Sequence, residues 1–173
     1  MRYWALGAAF LVLYAVETSL FGPAILWGLR PDLVLILVVT IALRRGATAG
    51  AAVGFAAGLV VDVLEGRLIG LGAAAKGLAG GCAGWVSRAL FANHFLVLVI
   101  LVFGASLLEH TFYLAGMWAF GLTLPTADAA FRVLLAGAIY DTVGGVLFYP
   151  LLDRAARALD VAEGVGSRGS VEG

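Results

Sequence analysis

The chain has 173 residues, of which 62% are hydrophobic and 13% charged, and its formal net charge is zero. Soluble domains are about 45–50% apolar and about 25% charged, so this composition excludes a water-soluble domain and predicts an integral membrane protein. The charged residues form no basic cluster, and the sequence therefore predicts no nucleic-acid partner.

Apolar runs bounded by charged residues, glycine or proline predict an all-α bundle of six transmembrane helices. In chain order, the predicted spans cover residues 3–22, 31–44, 47–65, 68–90, 95–120 and 127–152. The second span is short for a hydrocarbon core that needs about 20 residues. We expect residues 1–152 to form the transmembrane domain. Residues 153–173 are polar and end in glycine and serine, which predicts a cytoplasmic surface helix and a disordered tail.

Arginine is distributed unevenly between the two sides of the predicted bundle. If the N-terminus lies inside, the inner side receives Arg2, Arg44, Arg45, Arg88, Arg154, Arg157 and Arg168, and the outer side receives Arg30, Arg67 and Arg132. Positive residues collect on the cytoplasmic side of membrane proteins. Both termini are therefore predicted to be cytoplasmic.

The segment GAAVGFAAGLVVDVLEG of the third span places Gly50, Gly54, Gly58 and Asp62 four residues apart, on one side of a helix. Helices in lipid associate by close packing, which glycine permits. The fourth span has a comparable small-residue face, formed by Gly70, Ala73, Gly77, Gly81 and Gly84. The two spans are predicted to form a tightly packed hairpin; the alternative is a groove for another protein's helix.

Ionisable side chains within membrane spans are costly unless they face the bundle interior or water, so we take six of those in the predicted spans as candidate functional residues. They are Glu17, Asp62, Lys76, Glu109, His110 and Asp141. At about 1.5 Å per residue, Lys76 and Glu109 lie at about the same depth. Since their charges are opposite, we predict a buried Lys76–Glu109 pair. The alternatives are a proton or substrate relay, snorkelling of Lys76, or a pair with Asp62. Ser106 is expected to hydrogen-bond a carbonyl of its own helix.

Motifs in the second to fourth spans resemble those of MreD, a family of bacterial rod shape-determining membrane proteins. In that family a proline–aspartate opens the second span, a glycine–phenylalanine run ending in aspartate follows in the third, and a glycine-rich turn leads into the fourth. The matching residues here are Pro31, Asp32, Gly54, Phe55, Gly58, Asp62, Gly66, Gly70 and Gly72. Lys76 departs from the family pattern, in which an uncharged or aromatic residue is expected.

This resemblance implies a fold like that of the substrate-binding membrane subunits of energy-coupling-factor transporters. It also implies a place in the bacterial cytoplasmic membrane, within the elongation machinery that inserts peptidoglycan along the side wall. The implied partners are the bitopic protein MreC and a complex of the MreB filament, the RodA glycosyltransferase and a class B penicillin-binding protein.

Two functional classes compete. The chain has no catalytic constellation, no metal-ligand spacing and no phosphate-binding loop, so we expect no enzyme and no cofactor. Sparse outer loops favour a scaffold that binds a partner's helix near the N-terminus and the second-to-third helix region, where Arg44 and Arg45 could also meet membrane lipid. A homodimer is left open. The alternative is a small-molecule transporter or its substrate-binding subunit, because Glu17, Asp62, Glu65 and Arg67 could converge near the outer face.

Overall fold

A computed structural model describes residues 2–20, 31–66, 68–88 and 94–168 of the chain. All regular secondary structure in these ranges is helical, so the predicted all-α fold is confirmed. The helices are α1 (Arg2–Leu20), α2 (Leu33–Arg45), α3 (Ala47–Glu65), α4 (Leu71–Val86), α5 (His94–Ala119) and α6 (Ala127–Arg168).

Helix α2 lies at the centre of the bundle. All of its residues from 33 to 42 are buried, and it contacts each of the other five helices. Its 13 residues extend about 20 Å, less than the roughly 30 Å of a hydrocarbon core. Because protein surrounds α2, the helix can begin inside the bundle without exposing its first N–H groups to lipid.

Helices α3 and α4 pack backbone against backbone. A Cβ added to Gly54 would come under 3.0 Å from the carbonyl group of Lys76, and a Cβ at Gly50 or Gly58 would come equally close to the backbone of α4. Such approaches are possible only where both surfaces lack bulky side chains. The structure thus contains the tight hairpin, and α4 covers the glycine stripe, which is not open to another protein's helix.

The face of α4 that meets α3 agrees only in part with the predicted face. Ala73 and Gly84 of the predicted face meet the backbone of α3, and so does Gly80, which lies outside that face; a Cβ at Gly84 would lie 2.6 Å from the backbone nitrogen of Ala47. Gly77 and Gly81 lie at the edge of the interface, where a Cβ would meet α3 at an ordinary 3.4 Å. Small residues occupy almost every side of α4, so their spacing did not define which side faces α3.

Two glycines shape the connection between α3 and α4. Gly66 has a φ of 62° and Gly70 a φ of 99°, in the left-handed region that favours glycine. The N–H of Gly66 donates to the carbonyl of Asp62 and ends α3. Both residues belong to the motif on which the family resemblance rests, and the turn explains why glycine is needed there.

In the part of the chain that the structure describes, three helices are long and apolar enough to cross a membrane, through the segments Ala47–Glu65, Leu96–Ala119 and Ala127–Arg154. Large apolar side chains remain exposed on their outer surfaces, as lipid-facing helices require; examples are Phe55, Ile100 and Leu147. These features identify a helical membrane protein. A complete crossing by all six helices stays a prediction, since the apolar part of α1 is shorter and α4 has only 16 residues.

Helix α6 continues without a break from Ala127 to Arg168 and includes Pro150. It therefore runs across position 152, where the sequence predicts the transmembrane domain to end. Near this position, Asp153 forms an ion pair of 2.8 Å with Arg44 at the end of α2. The cytoplasmic position of the last residues stays a prediction.

Candidate functional site

Carboxylates from three parts of the chain hold the start of α2. Asp32 caps its own helix by accepting a hydrogen bond of 2.7 Å from the N–H of Leu35. Glu17 on α1 accepts from the N–H of Leu33 at 3.1 Å, and Asp141 on α6 accepts from the N–H of Asp32 at 2.7 Å. The first N–H groups of a helix lack partners within it and carry the positive end of its dipole. The first N–H groups of α2 therefore offset the free-energy cost of burying these carboxylates.

Lys76 on α4 is only 3% exposed and joins two of the acidic groups. Its Nζ donates to Oδ2 of Asp32 and to Oε1 of Glu109 on α5, the latter at 2.7 Å. The structure thus places the predicted partner Glu109 beside Lys76 and adds Asp32, which sequence reasoning had assigned only to the family motif. Asp62, the alternative partner, lies against the backbone of α4 instead. One ammonium group therefore serves two carboxylates.

A second branch of polar contacts leads from Asp141 to α5. Ser106 donates its hydroxyl to Oδ2 of Asp141 at 2.5 Å, so the prediction that this hydroxyl bonds a carbonyl of its own helix is wrong. Nδ1 of His110 lies 2.8 Å from the Ser106 carbonyl oxygen and 3.2 Å from its hydroxyl oxygen. The sequence analysis named His110 and Asp141 as candidates but did not connect them to each other or to Ser106. The signal for this branch was the four-residue spacing of Ser106 and His110, which puts two polar groups on one face of an apolar helix.

Asp62 connects the end of α3 to the start of α4. Its Oδ2 accepts hydrogen bonds from the N–H of Gly70 at 2.9 Å and of Ala73 at 3.2 Å. Gly70 is the N-cap of α4 and has no side chain with which to cap it. A Cβ at Gly72 would collide with the Asp62 carboxylate. The aspartate at the end of the glycine stripe is therefore a helix cap supplied by the neighbouring helix.

Two further residues of the family-like motif lie outside this network. Pro31 is buried and packs on α6, where a Cβ at Gly144 would lie 2.8 Å from the Cβ of Pro31. Phe55 is 51% exposed on the outer surface of α3. Pro31 therefore helps to seat the start of α2, whereas Phe55 faces the surroundings of the bundle.

The charged side chains line a cavity of about 330 Å³, which we call the polar cavity. It lies at the end of the bundle where α2 and α4 begin. Its walls contain Lys76, His110, Tyr14 and Tyr113, and the six carboxylates of Glu17, Asp32, Asp62, Glu65, Glu109 and Asp141. The structure brings Glu17, Asp62 and Glu65 together here, as the transporter alternative expected. The argument from sparse outer loops did not weigh against such a site, because helices rather than loops form it. Arg67, also expected nearby, lies outside the described residues.

A second concave surface, of about 480 Å³, runs along α3 beside α1 and α2, and we call it the apolar groove. Small and aliphatic side chains form most of it, among them Ala49, Ala52, Ala56 and Val60 of α3, with Phe10 of α1 and Ile41 of α2. Arg45 lies at one end. The groove is distinct from the glycine stripe, which faces α4.

The chemistry of the polar cavity is that of hydrogen bonding and charge. Among residues 2–20, 31–66, 68–88 and 94–168, no three His, Cys, Asp or Glu side chains are grouped so that they could hold a metal ion. Several of the carboxylates instead accept hydrogen bonds from helix starts or from Lys76. The arrangement can fix the register of the helices and can present charge to a ligand.

The fold and the two surfaces define a helical membrane protein whose buried charged network joins most of its helices. The family profile described as rod shape-determining protein MreD matches residues 1–154. The chain belongs to the MreD family, and its role is in rod shape determination. No curated protein and no solved structure matches the chain, so the expected likeness to energy-coupling-factor subunits stays a prediction.

Proposed function

We propose that the chain is a noncatalytic scaffold of the bacterial elongation machinery, and that it holds the transmembrane helix of an MreC-type partner in the apolar groove. Through this partner it acts with the MreB filament, RodA and a class B penicillin-binding protein in side-wall peptidoglycan synthesis. Membership of a rod shape-determining family supports this role. The observation that carries the proposal is the groove itself.

The groove has the dimensions and chemistry of a helix-docking surface. From Ala49 to Val60 it follows α3 for about 17 Å, at about 1.5 Å per residue. Ala52 and Ala56 are exposed within it. Their small side chains let a second helix approach closely, which is the main source of affinity between helices in lipid.

The location of the groove agrees with the contact region that the sequence suggested. It includes Gly7 in the first half of α1 and Arg45 at the end of α2, near the N-terminus and the second-to-third helix region. With the termini in the cytoplasm, Arg45 lies at the inner side of the cytoplasmic membrane, where it can meet an acidic residue of the partner or an anionic lipid headgroup.

Cysteine crosslinking tests this proposal. Single cysteines are placed at Ala52, Ala56 and Val60 in a Cys82→Ala background, and the protein is coexpressed with an MreC-type partner that carries one cysteine in its span. Matched controls are Val143, Leu147 and Leu151, which are exposed at the same four-residue spacing on α6. We expect crosslinks at the α3 positions and none at the α6 positions.

Two results would contradict docking in the groove. One is equal crosslinking on α3 and α6, which would indicate random collisions in the membrane. The other is the absence of crosslinks on α3 although the partner copurifies, which would place the contact elsewhere on the bundle.

The polar cavity favours a second candidate function, that of a small-molecule transporter or its substrate-binding subunit. Ligand sites in membrane proteins often lie where helix ends and charged side chains meet in the bundle interior. Saturable uptake of a solute by the isolated protein in liposomes, together with no partner crosslinks, would favour this candidate over the scaffold.

A further inference from the structure

The charges of Asp32, Lys76 and Glu109, which all line the polar cavity, do not balance among themselves. Glu17 and Asp141 are compensated by the start of α2, and Asp62 by the start of α4. Lys76 can neutralise only one of its two acidic neighbours. A negative charge therefore remains at the centre of the cavity, where burial makes it costly.

The unmet acceptor can be located on one atom. Oε1 of Glu109 accepts from Lys76, but Oε2 is buried and has no hydrogen-bond partner among the described residues. Asp32 differs, because one of its carboxylate oxygens bonds Lys76 and the other bonds the N–H of Leu35. Glu109 also lines the cavity. A group that donates a hydrogen bond and carries positive charge would supply the donor that Glu109 lacks and would also balance the remaining negative charge.

The size and walls of the cavity select among cations. A volume of about 330 Å³ lies at the lower end of the roughly 300–1,000 Å³ of small-ligand pockets. A bare metal ion would leave most of it unfilled, and the described carboxylates are not grouped for metal binding. Tyr14 and Tyr113 also line the cavity, and aromatic side chains attract organic cations.

We propose that the polar cavity is a binding site for a small organic cation with a primary ammonium group, which donates a hydrogen bond to the carboxylate of Glu109. A free amine and the headgroup of an aminophospholipid offer this same chemistry. The site goes beyond the scaffold function, because it lies at the opposite end of α2 from the part of the apolar groove near Arg45. Its failure and a failure of helix docking are therefore separately observable.

The experiment has two arms, one for each source of the ammonium group. In the first, the protein in nanodiscs of phosphatidylglycerol alone is titrated with ethanolamine, and the dissociation constant is measured by calorimetry. Ethylene glycol and choline are the controls, since the first lacks the charge and the second lacks the N–H donors. In the second arm, nanodiscs contain phosphatidylethanolamine and phosphatidylglycerol, and native mass spectrometry measures which lipid stays bound.

Variants connect binding to the cavity. Glu109→Gln removes the charge but leaves Lys76 paired with Asp32, and we expect affinity to fall about tenfold or more. Val133→Phe fills the cavity without changing its charge, and we expect binding to be lost. Asp128→Asn, at an exposed residue of α6, is the matched control and should bind like the unaltered protein. Thermal unfolding in detergent checks that each variant is folded.

Saturable ethanolamine binding that depends on Glu109 would support a soluble amine. Selective retention of phosphatidylethanolamine with the same dependence would support a lipid headgroup. The proposal is overturned if neither probe binds, as expected if a proton alone neutralises Glu109. It is equally overturned if choline binds as tightly as ethanolamine, or if Glu109→Gln and Val133→Phe leave binding unchanged.

Discussion

The α3–α4 hairpin and the start of α2 solve the same problem in opposite ways. Both must hold helices together in lipid, where burial of apolar surface gives little preference for one helix neighbour over another. In the hairpin, side chains are removed, so that Gly54 meets the backbone of α4 directly. At the start of α2, charged side chains are added, and Lys76 binds Asp32 and Glu109 from two other parts of the chain.

The two solutions differ in how their contacts depend on one another. The hairpin contacts repeat every four residues along two helices that are adjacent in sequence, so each contact contributes locally. The charged network joins residues as far apart as Asp32 and Asp141, and the loss of one member leaves its partners unpaired. We therefore expect graded effects in the hairpin and large, interdependent effects in the network.

The largest effect is expected for Lys76→Met. This change leaves the carboxylates of Asp32 and Glu109 facing each other without a counter-charge in a buried site. Removal of one partner of a buried ion pair costs about 3–5 kcal/mol, and we expect a loss of stability of that size. The free energy of unfolding in mixed detergent micelles measures it.

Further substitutions show whether the network acts as a triad. Adding Glu109→Gln to Lys76→Met should recover only part of the stability, since Asp32 remains unpaired. Adding Asp32→Asn as well should recover more. Strictly additive losses across these variants would mean that the three side chains do not interact, and the contrast with the hairpin would disappear.

A smaller loss of stability is expected for Gly54→Leu. The leucine side chain would have to occupy the position of the Lys76 carbonyl group, so α3 and α4 must separate. Overpacking of a close interface typically costs about 1–3 kcal/mol, and we expect the upper part of that range. Thermal unfolding in detergent measures the loss.

Ala56→Leu is the matched control on the opposite side of α3. Ala56 is exposed in the apolar groove. The Ala56→Leu protein should therefore be as stable as the unaltered protein, while its crosslinking to the partner decreases. If Gly54→Leu were tolerated as well as Ala56→Leu, the close approach of the two backbones would not be a source of stability.

The sequence predicted the hairpin better than the network for a physical reason. Glycines at 46 and 66 bracket α3 and the four-residue repeat marks its contact face, so its bounds and its contacting side followed from local spacing. The similar membrane depth and opposite charges of Lys76 and Glu109 also predicted that these two residues pair. The contacts from Lys76 to Asp32 and from Ser106 to Asp141 depend on how α2 and α6 are seated in the bundle. Spacing along a single helix carries no information about that.

The next effect in size concerns Asp62, which belongs to both regions, since it ends the glycine stripe and lines the polar cavity. Asp62→Ala removes the acceptor for the N–H groups of Gly70 and Ala73. Loss of a helix cap costs about 0.5–2 kcal/mol, and two donors are affected, so we expect about 1–2 kcal/mol by equilibrium unfolding. Asp62→Asn retains an acceptor oxygen and should lose less. Equal losses would indicate that charge rather than capping is what Asp62 contributes.

The smallest effect is expected for Gly81→Ala, and it tests which side of α4 faces α3. A Cβ at Gly81 would meet only the Cβ of Ala51, at 3.4 Å, so the substitution should cost no packing and should leave the free energy of unfolding unchanged or raise it by up to about 1 kcal/mol through helix propensity. Gly80→Ala is the matched variant one position earlier. Its Cβ would lie 2.6 Å from the side chain of Val38 and still closer to the backbone of Gly50, so α3 must shift and the loss should be about 1–3 kcal/mol.

Because both changes add the same methyl group to the same helix, helix propensity cancels between them and the difference reports the packing alone. A larger loss at Gly81 than at Gly80 would restore the face of Gly77 and Gly81 that the sequence suggested, and it would rotate Lys76 on the same helix away from Asp32 and Glu109.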